Sequence, residues 1–188
     1  WSPNTSAGDT QIVARPDWSA VGLASDPQQP HLLNRLAGWT RVDTLDVADI
    51  DSEAAHDYTW WHAGRPDGYL TLPQRMAYHD APGMVLVDGT RELTGGATFI
   101  IETPQPGQWT QITARLHQTQ DMTLRVRVDD IDAGLWRLPA LPGEWLESTF
   151  LIRPDLIRST STRITLEVVD GSAATLYSAG HYWVFQGE

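Results

Sequence analysis

The run "YTWWHAGRPDGYL", residues 58–70, sets two adjacent tryptophans among histidine, arginine, aspartate and tyrosine. On a β-strand successive side chains point to opposite faces, so Trp60 and Trp61 must part company. Thr59, Trp61 and Ala63 form a small-large-small set and are expected in the core. Tyr58, Trp60 and His62 are aromatic with polar tips, which suits a sugar: the apolar face of a pyranose packs on a ring while polar neighbours bind its hydroxyls. Trp60 is the expected stacking ring, and His62, Arg65, Asp67 and Tyr69 would read hydroxyls. The competing reading buries both tryptophans between the body of the domain and an N-terminal arm.

Just upstream, "VDTLDVADIDSEAAHD" (residues 42–57) gathers Asp46, Asp49, Asp51 and Glu53. Calcium takes six to eight oxygens at short range, and a run of carboxylates can supply several. No glycine stands at the sixth loop position, so this is not an EF-hand. A structural Ca²⁺, if bound, is expected at Asp49 or Asp51; no cofactor is required, and a solvated acidic loop is the simpler reading. His56, Asp57 and His62 match no HExxH or facial-triad spacing. In "DDIDAG", Asp129, Asp130 and Asp132 read as a hairpin turn whose side chains bond their own backbone.

Catalytic signatures are missing. There is no GxSxG, P-loop or dinucleotide fingerprint. All 13 cationic residues are arginine and there is no cysteine, which rules out Schiff-base and thiolate chemistry. A pair of carboxylates acting on a glycosidic bond stays open, because their separation cannot be read from a linear sequence. The expectation is a non-catalytic protein.

These residues need a scaffold, and the 188 residues are enough for one domain with a real core. The net charge of -11 and a pI near 4.8 argue against nucleic acid and against an anionic membrane surface. No stretch approaches the ~20 apolar residues of a membrane span. Residues 1–30, with four prolines and no periodicity, read as an arm or linker, and residues 31–188 as the domain proper. The chain opens on Trp1, and its expected setting is a piece of a longer protein with further domains as partners.

From residue 58 onward the sequence is a series of short period-two runs divided by Gly, Pro and Asp. In "WTQITARLH", Thr110, Ile112, Ala114 and Leu116 share one face and Gln111, Thr113, Arg115 and His117 the other. In "TLRVRVDD", Leu124, Val126 and Val128 face inward with Arg125 and Arg127 outward. "RITLEVVDG" puts Ile164, Leu166 and Val168 in and Thr165 and Glu167 out. Arg125 or Arg127 should pair across strands with Glu147 or Glu167. Trp109, Trp145 and Trp183 are expected in the core or at its edge, and Trp136 in packing. Eight to ten half-polar strands with little helix predict an all-β, antiparallel two-sheet β-sandwich, of jelly-roll type.

Three stretches carry a resemblance: "LRVRVDDIDAGLWRL", "GEWLESTFLIRPDLI", and "RITLEVVDG" followed by "YSAGHYWVFQ". Over residues 85–188 the chain resembles the galactose-binding-domain-like jelly rolls, which include carbohydrate-binding modules and accessory domains of surface proteins. The resemblance implies a secreted or cell-surface location, a glycan or sugar as ligand at the loops or on a concave sheet face, and, in many members, a structural calcium near the chain ends. The fold serves several functions, so a scaffold or protein-contact domain is the alternative and a glycan-active hydrolase a third.

Overall fold

The computed structural model describes residues 11–14, 38–62, 70–79, 81–169 and 177–187. Among the described residues, twelve strands form two sheets. Sheet A holds β1 (Gln11–Ala14), β2 (Thr40–Asp46), β4 (Leu70–Tyr78), β5 (Ala81–Leu93), β7 (Trp109–Leu116), β10 (Glu144–Ile152) and β12 (Tyr177–Gly187), in the order β1-β5-β4-β10-β7-β12-β2. Sheet B holds β3 (Thr59–Trp61), β6 (Gly96–Glu102), β8 (Met122–Val128), β9 (Ile131–Leu138) and β11 (Ser161–Val169), in the order β3-β6-β11-β8-β9. The protein is the all-β sandwich that the period-two runs predict. Within the stretch expected as an arm, β1 pairs antiparallel with β5.

The alternation decides which side chains meet. Ile112, Ala114 and Leu116 of sheet A face Leu124, Val126, Val128, Ile164 and Leu166 of sheet B, all fully buried in one core. Val168 is only partly buried at its margin. Burial of such side chains contributes roughly 1.5–3 kcal/mol each, so this interface dominates stability. Trp136 also packs here, and its indole N–H donates to Ser148 Oγ at 2.9 Å. Trp145 and Trp183 are buried, whereas Trp109, at the start of β7, stays partly exposed.

Sheet A departs from a plain antiparallel sheet at two places. β4 meets β10 in parallel, through Ala77↔Glu144 and Tyr78↔Trp145. The end of β5 also pairs with the start of β12, through Leu93↔Tyr177 and Arg91↔Ala179. Strands β5, β4, β10, β7 and β12 therefore form a closed circuit. Inside it lies a second apolar cluster of Met76, Tyr78, Met84, Leu86 and Trp145.

That closure corrects one expectation. Gln111, Thr113 and Arg115 were expected on a wet face, and all three are buried because the circuit folds over them. Arg115, 0% exposed, donates from Nε to Tyr78 Oη at 2.7 Å and from Nη1 to Asp88 Oδ2 at 2.7 Å. Glu147 Oε1 lies 3.9 Å away and accepts from Tyr78 Oη at 2.8 Å. The guanidinium sits over the Trp183 ring, 4.8 Å from its centroid. Burial alone disfavours the charge on Arg115, but Tyr78, Asp88 and Glu147 outweigh it and hold the proton firmly. Burial likewise works to raise the Asp88 pKa, yet Arg115 and His181 bring it below the ordinary value.

The expected cross-strand ion pairs are half realised. Arg127 pairs with Glu167 at 3.5 Å, both partly exposed, while Arg125 chooses Asp132 at 2.5 Å. Glu147 is taken by the buried cluster instead. Exposed pairs of this kind contribute at most about 1 kcal/mol.

Candidate functional site

The outer face of sheet B carries a trough of about 410 Å³ lined by Asp57, Thr59, Trp61, Thr98, Ile100, Asp130, Arg163 and Thr165, with Phe99 below. Strand pairing puts these side chains in register. Thr59 stands beside Thr98, and Thr98 beside Thr165, giving a row of three hydroxyls across β3, β6 and β11. Thr98 Oγ1 donates to Ile164 O at 2.9 Å and lies 3.2 Å from Thr165 Oγ1. Ile100 and Arg163 form the next row. Asp129 and Asp130, in the β8–β9 turn, have positive φ (46° and 68°), and Asp129 Oδ1 accepts from Arg163 N at 2.9 Å. This pins the turn against β11 and places Asp130 at the rim.

Trp61 stands at one end of the trough, 38% exposed. Its indole is laid across Gly95 and Gly96. A Cβ on Gly95 would fall 2.3 Å from Cδ1 and 2.6 Å from Nε1, and one on Gly96 would fall 2.6 Å from Cζ2. Only a glycine pair lets the ring lie there. The ring is thus fixed by backbone beneath it while part of its surface stays open to a ligand.

The two tryptophans have therefore exchanged the faces expected of them. Tyr58 is buried and Trp60 packs against the main core; Thr59 and Trp61 are exposed. The physical reason is the partner strand: β3 pairs with β6 where glycine leaves room on the outer face, so the larger outward ring fits there. Trp60 meets His62 edge-on, with centroids 5.4 Å apart. His62 turns into the protein, its Nδ1 3.3 Å from both Thr94 N and Thr94 Oγ1. Arg65, Asp67 and Tyr69 lie outside the described residues. The trough residues Thr98, Asp130, Arg163 and Thr165 were not singled out from sequence as ligand contacts. Beside the double tryptophan, the consecutive glycines of "LTGGATF" are a sequence signal that marks this face once the strand pairing is known.

The acidic run is largely accounted for by a short helix, α1 (Ile50–Ala55), where a loop had been expected. Asp49 is its N-cap: Oδ1 accepts from Asp51 N at 2.9 Å and Ser52 N at 3.1 Å. Asp51 is an exposed residue in the first turn, where negative charge favours the helix dipole. Glu53 accepts from Ala48 N at 3.0 Å and pairs with Arg91. At the C-cap, His56 Nδ1 lies 2.6 Å from Ser52 O and Nε2 lies 3.1 Å from Asp43 Oδ1. Both partners only accept, so the ring is best satisfied as imidazolium; the bond to Asp43 raises its pKa against the cost of burial. Burial pushes Asp43 upward, but His56 and the N–H groups of Glu102 and Thr44 together hold it below the ordinary value.

Asp46, Asp88 and His181, all buried, bring three potential metal-binding atoms within 4.8 Å of one another. They do not fit the calcium that the resemblance implies. Calcium prefers six to eight oxygens, whereas here two carboxylates and one ring nitrogen converge.

No family model and no curated protein sequence matches the chain. Among solved structures, it is similar to a delta-endotoxin of Bacillus thuringiensis (8% identity, 53% of this chain and 20% of that chain, TM-score 0.44). A glycoside hydrolase family 43 arabinoxylan arabinofuranohydrolase of Bacillus subtilis, solved with cellotetraose, gives 15% identity over 54% of this chain and 22% of that chain, TM-score 0.42. The chain thus spans about a fifth of each. A carbohydrate-binding module of a Cellvibrio mixtus lichenase, solved with cellotriose, gives 11% identity over 77% of this chain and 97% of that module, TM-score 0.46. Likenesses this slight carry no argument; the sandwich stands on its strand pairing and the site on its side chains.

Proposed function

We propose that the protein is a non-catalytic carbohydrate-binding module that takes a glycan in the Trp61 trough. The observation that carries this reading is the Trp61 indole, held across Gly95 and Gly96 at the end of a polar groove. A pyranose face packs on the indole, the carboxylates of Asp57 and Asp130 accept from sugar hydroxyls, and Arg163 donates to them. Glycans are long, so an open groove on a sheet face suits them better than a closed pocket. The polar residues of the trough serve recognition rather than catalysis.

On this reading the chain belongs to a larger secreted or cell-surface protein and brings its partner domains to glycan. Among the described residues no helix is long and apolar enough to cross a membrane.

Intrinsic tryptophan fluorescence during titration with soluble polysaccharides and oligosaccharides tests the reading. Trp61→Ala should weaken binding about thirtyfold, the ~2 kcal/mol of an aromatic hot spot. Trp60→Ala should lower the melting temperature with ligand affinity preserved in the folded fraction. A saturable sugar response that survives Trp61→Ala, or no response to any sugar, refutes the proposal.

A further inference from the structure

The poor fit to calcium at Asp46, Asp88 and His181 is itself informative, because the same donors suit a different ion. Asp46 and His181 are register partners on β2 and β12, and a bond from Val47 N to Gly180 O at 2.8 Å ties the two strands together there. A bulge between Ala179 and His181 turns the imidazole to the inner side of the strand circuit. Its ring stacks on Trp183, with centroids 4.9 Å apart and planes within 23°, which fixes its orientation. Asp88 reaches the same point from β5. A Cβ on Gly180 would fall 2.8 Å from Asp88 Oδ2, so glycine makes the space that the carboxylate fills.

Two of the three spacings are those of ligands around a small ion, and the third lies within 4.8 Å. His181 Nδ1 lies 3.5 Å from Asp46 Oδ1 and 3.5 Å from Asp88 Oδ2. Ligands about 2.0–2.2 Å from a tetrahedral metal stand about 3.3–3.6 Å apart, which matches both distances. Arg115 also bonds Asp88 Oδ2, at 2.7 Å, and so orients that carboxylate; a carboxylate oxygen has a second lone pair to offer. The Asp46 side chain is 12% exposed and provides the way in.

We infer that Asp46, Asp88 and His181 form a binding site for a first-row divalent transition ion of the zinc class, distinct from the sugar trough. Two carboxylates and one imidazole supply three of four tetrahedral positions, and the nitrogen donor selects against calcium and magnesium. The ion joins β2, β5 and β12, the strands that complete sheet A, so its effect is on stability.

The test uses protein dialysed against chelator and then titrated with Zn²⁺, or with Co²⁺ as a spectroscopic probe. His79→Gln serves as background, since His79 and Glu144 form an exposed pair able to take up metal at the surface. The expected result is one equivalent bound, a visible Co²⁺ spectrum of tetrahedral type, and a melting temperature raised by Zn²⁺ but not by Ca²⁺. Asp46→Asn, checked for fold by circular dichroism, should weaken binding by roughly a hundredfold or more, beyond what loss of an outer-shell partner causes. Should Asp46→Asn fail to fold, the Co²⁺ spectrum and stoichiometry of the otherwise native chain decide alone. No bound equivalent, an octahedral aquo-like spectrum, or undiminished binding in folded Asp46→Asn overturns the inference and leaves the triad as an internal ion pair. Sugar binding at Trp61 is read separately, so neither result depends on the other.

Discussion

Replacing Arg115 by methionine removes the cation at the centre of the buried cluster while keeping much of its volume. Asp88 loses a 2.7 Å charge-assisted bond, Tyr78 loses the donor to its hydroxyl, and Glu147 loses its nearest positive charge. Breaking a buried pair by deleting one partner costs about 3–5 kcal/mol, because the other charge stays behind in a poorly solvated place. In a chain of this length each kcal/mol moves the melting temperature by roughly 2–4 °C, so the variant should melt roughly 6–20 °C lower. Asp88 would take up a proton to relieve the strain, so the deficit should shrink in acid. The triple variant Arg115→Met, Asp88→Asn, Glu147→Gln removes the stranded charges and should recover most of the loss. Thermal and urea denaturation in metal-free buffer measure all three proteins. If Arg115→Met melts within a degree or two of the parent at neutral pH, the cluster does not bear the closure of sheet A and the reasoning fails.

Two further perturbations follow from α1. The His56 pKa is raised above 6.5, so its stabilisation is complete below that value and is lost as pH rises through the higher folded value. Asp43, lowered from 3.8, stabilises above that value and ceases to do so as pH falls through the lower folded one. The pair is thus strongest between about 3.8 and 6.5, while His117, whose pKa burial lowers, acts in the opposite sense. The stability difference between the parent and His56→Gln isolates the first term; it should narrow from mildly acidic to mildly alkaline buffer, and a constant difference would contradict the assignment. Asp49→Ala removes the N-cap and should cost about 1 kcal/mol, with Asp49→Ser close to neutral, by urea denaturation; equal stability of all three would show that the cap contributes nothing.

Most of the fold was legible because period-two alternation is a local property. Ile112, Ala114, Leu124, Val126, Ile164 and Leu166 were placed inward from spacing alone, and the structure agrees. What alternation cannot say is whether the opposite face meets water. Arg115 and Gln111 looked solvated because nothing local shows that β5 turns to join β12, some ninety residues further on. The helix of residues 50–55 was hidden for a related reason: its aspartates suit a loop, and only the cap geometry of Asp49 explains them. The tryptophan pair divided as a strand must, but the phase was reversed. The arbiter was the glycine pair on the neighbouring strand, which counts only once the pairing is known.

The closed circuit of sheet A also bears on how the chain reaches its structure. β12 lies between β7 and β2 and touches β5, so three earlier strands wait for it before their backbone groups are paired. Until it docks, Arg115, Asp88 and Trp145 sit in an open trench rather than an interior. Closing pairs so distant in sequence is slow, since loop entropy is lost before any contact repays it. The late intermediate would therefore lack β12 while sheet B, whose five strands pair only with one another, already has its ladder, though its inner face still waits for Tyr182 and Val184. In a ribosome-bound chain, the ladder beneath the Trp61 trough forms before β12 is free of the exit tunnel.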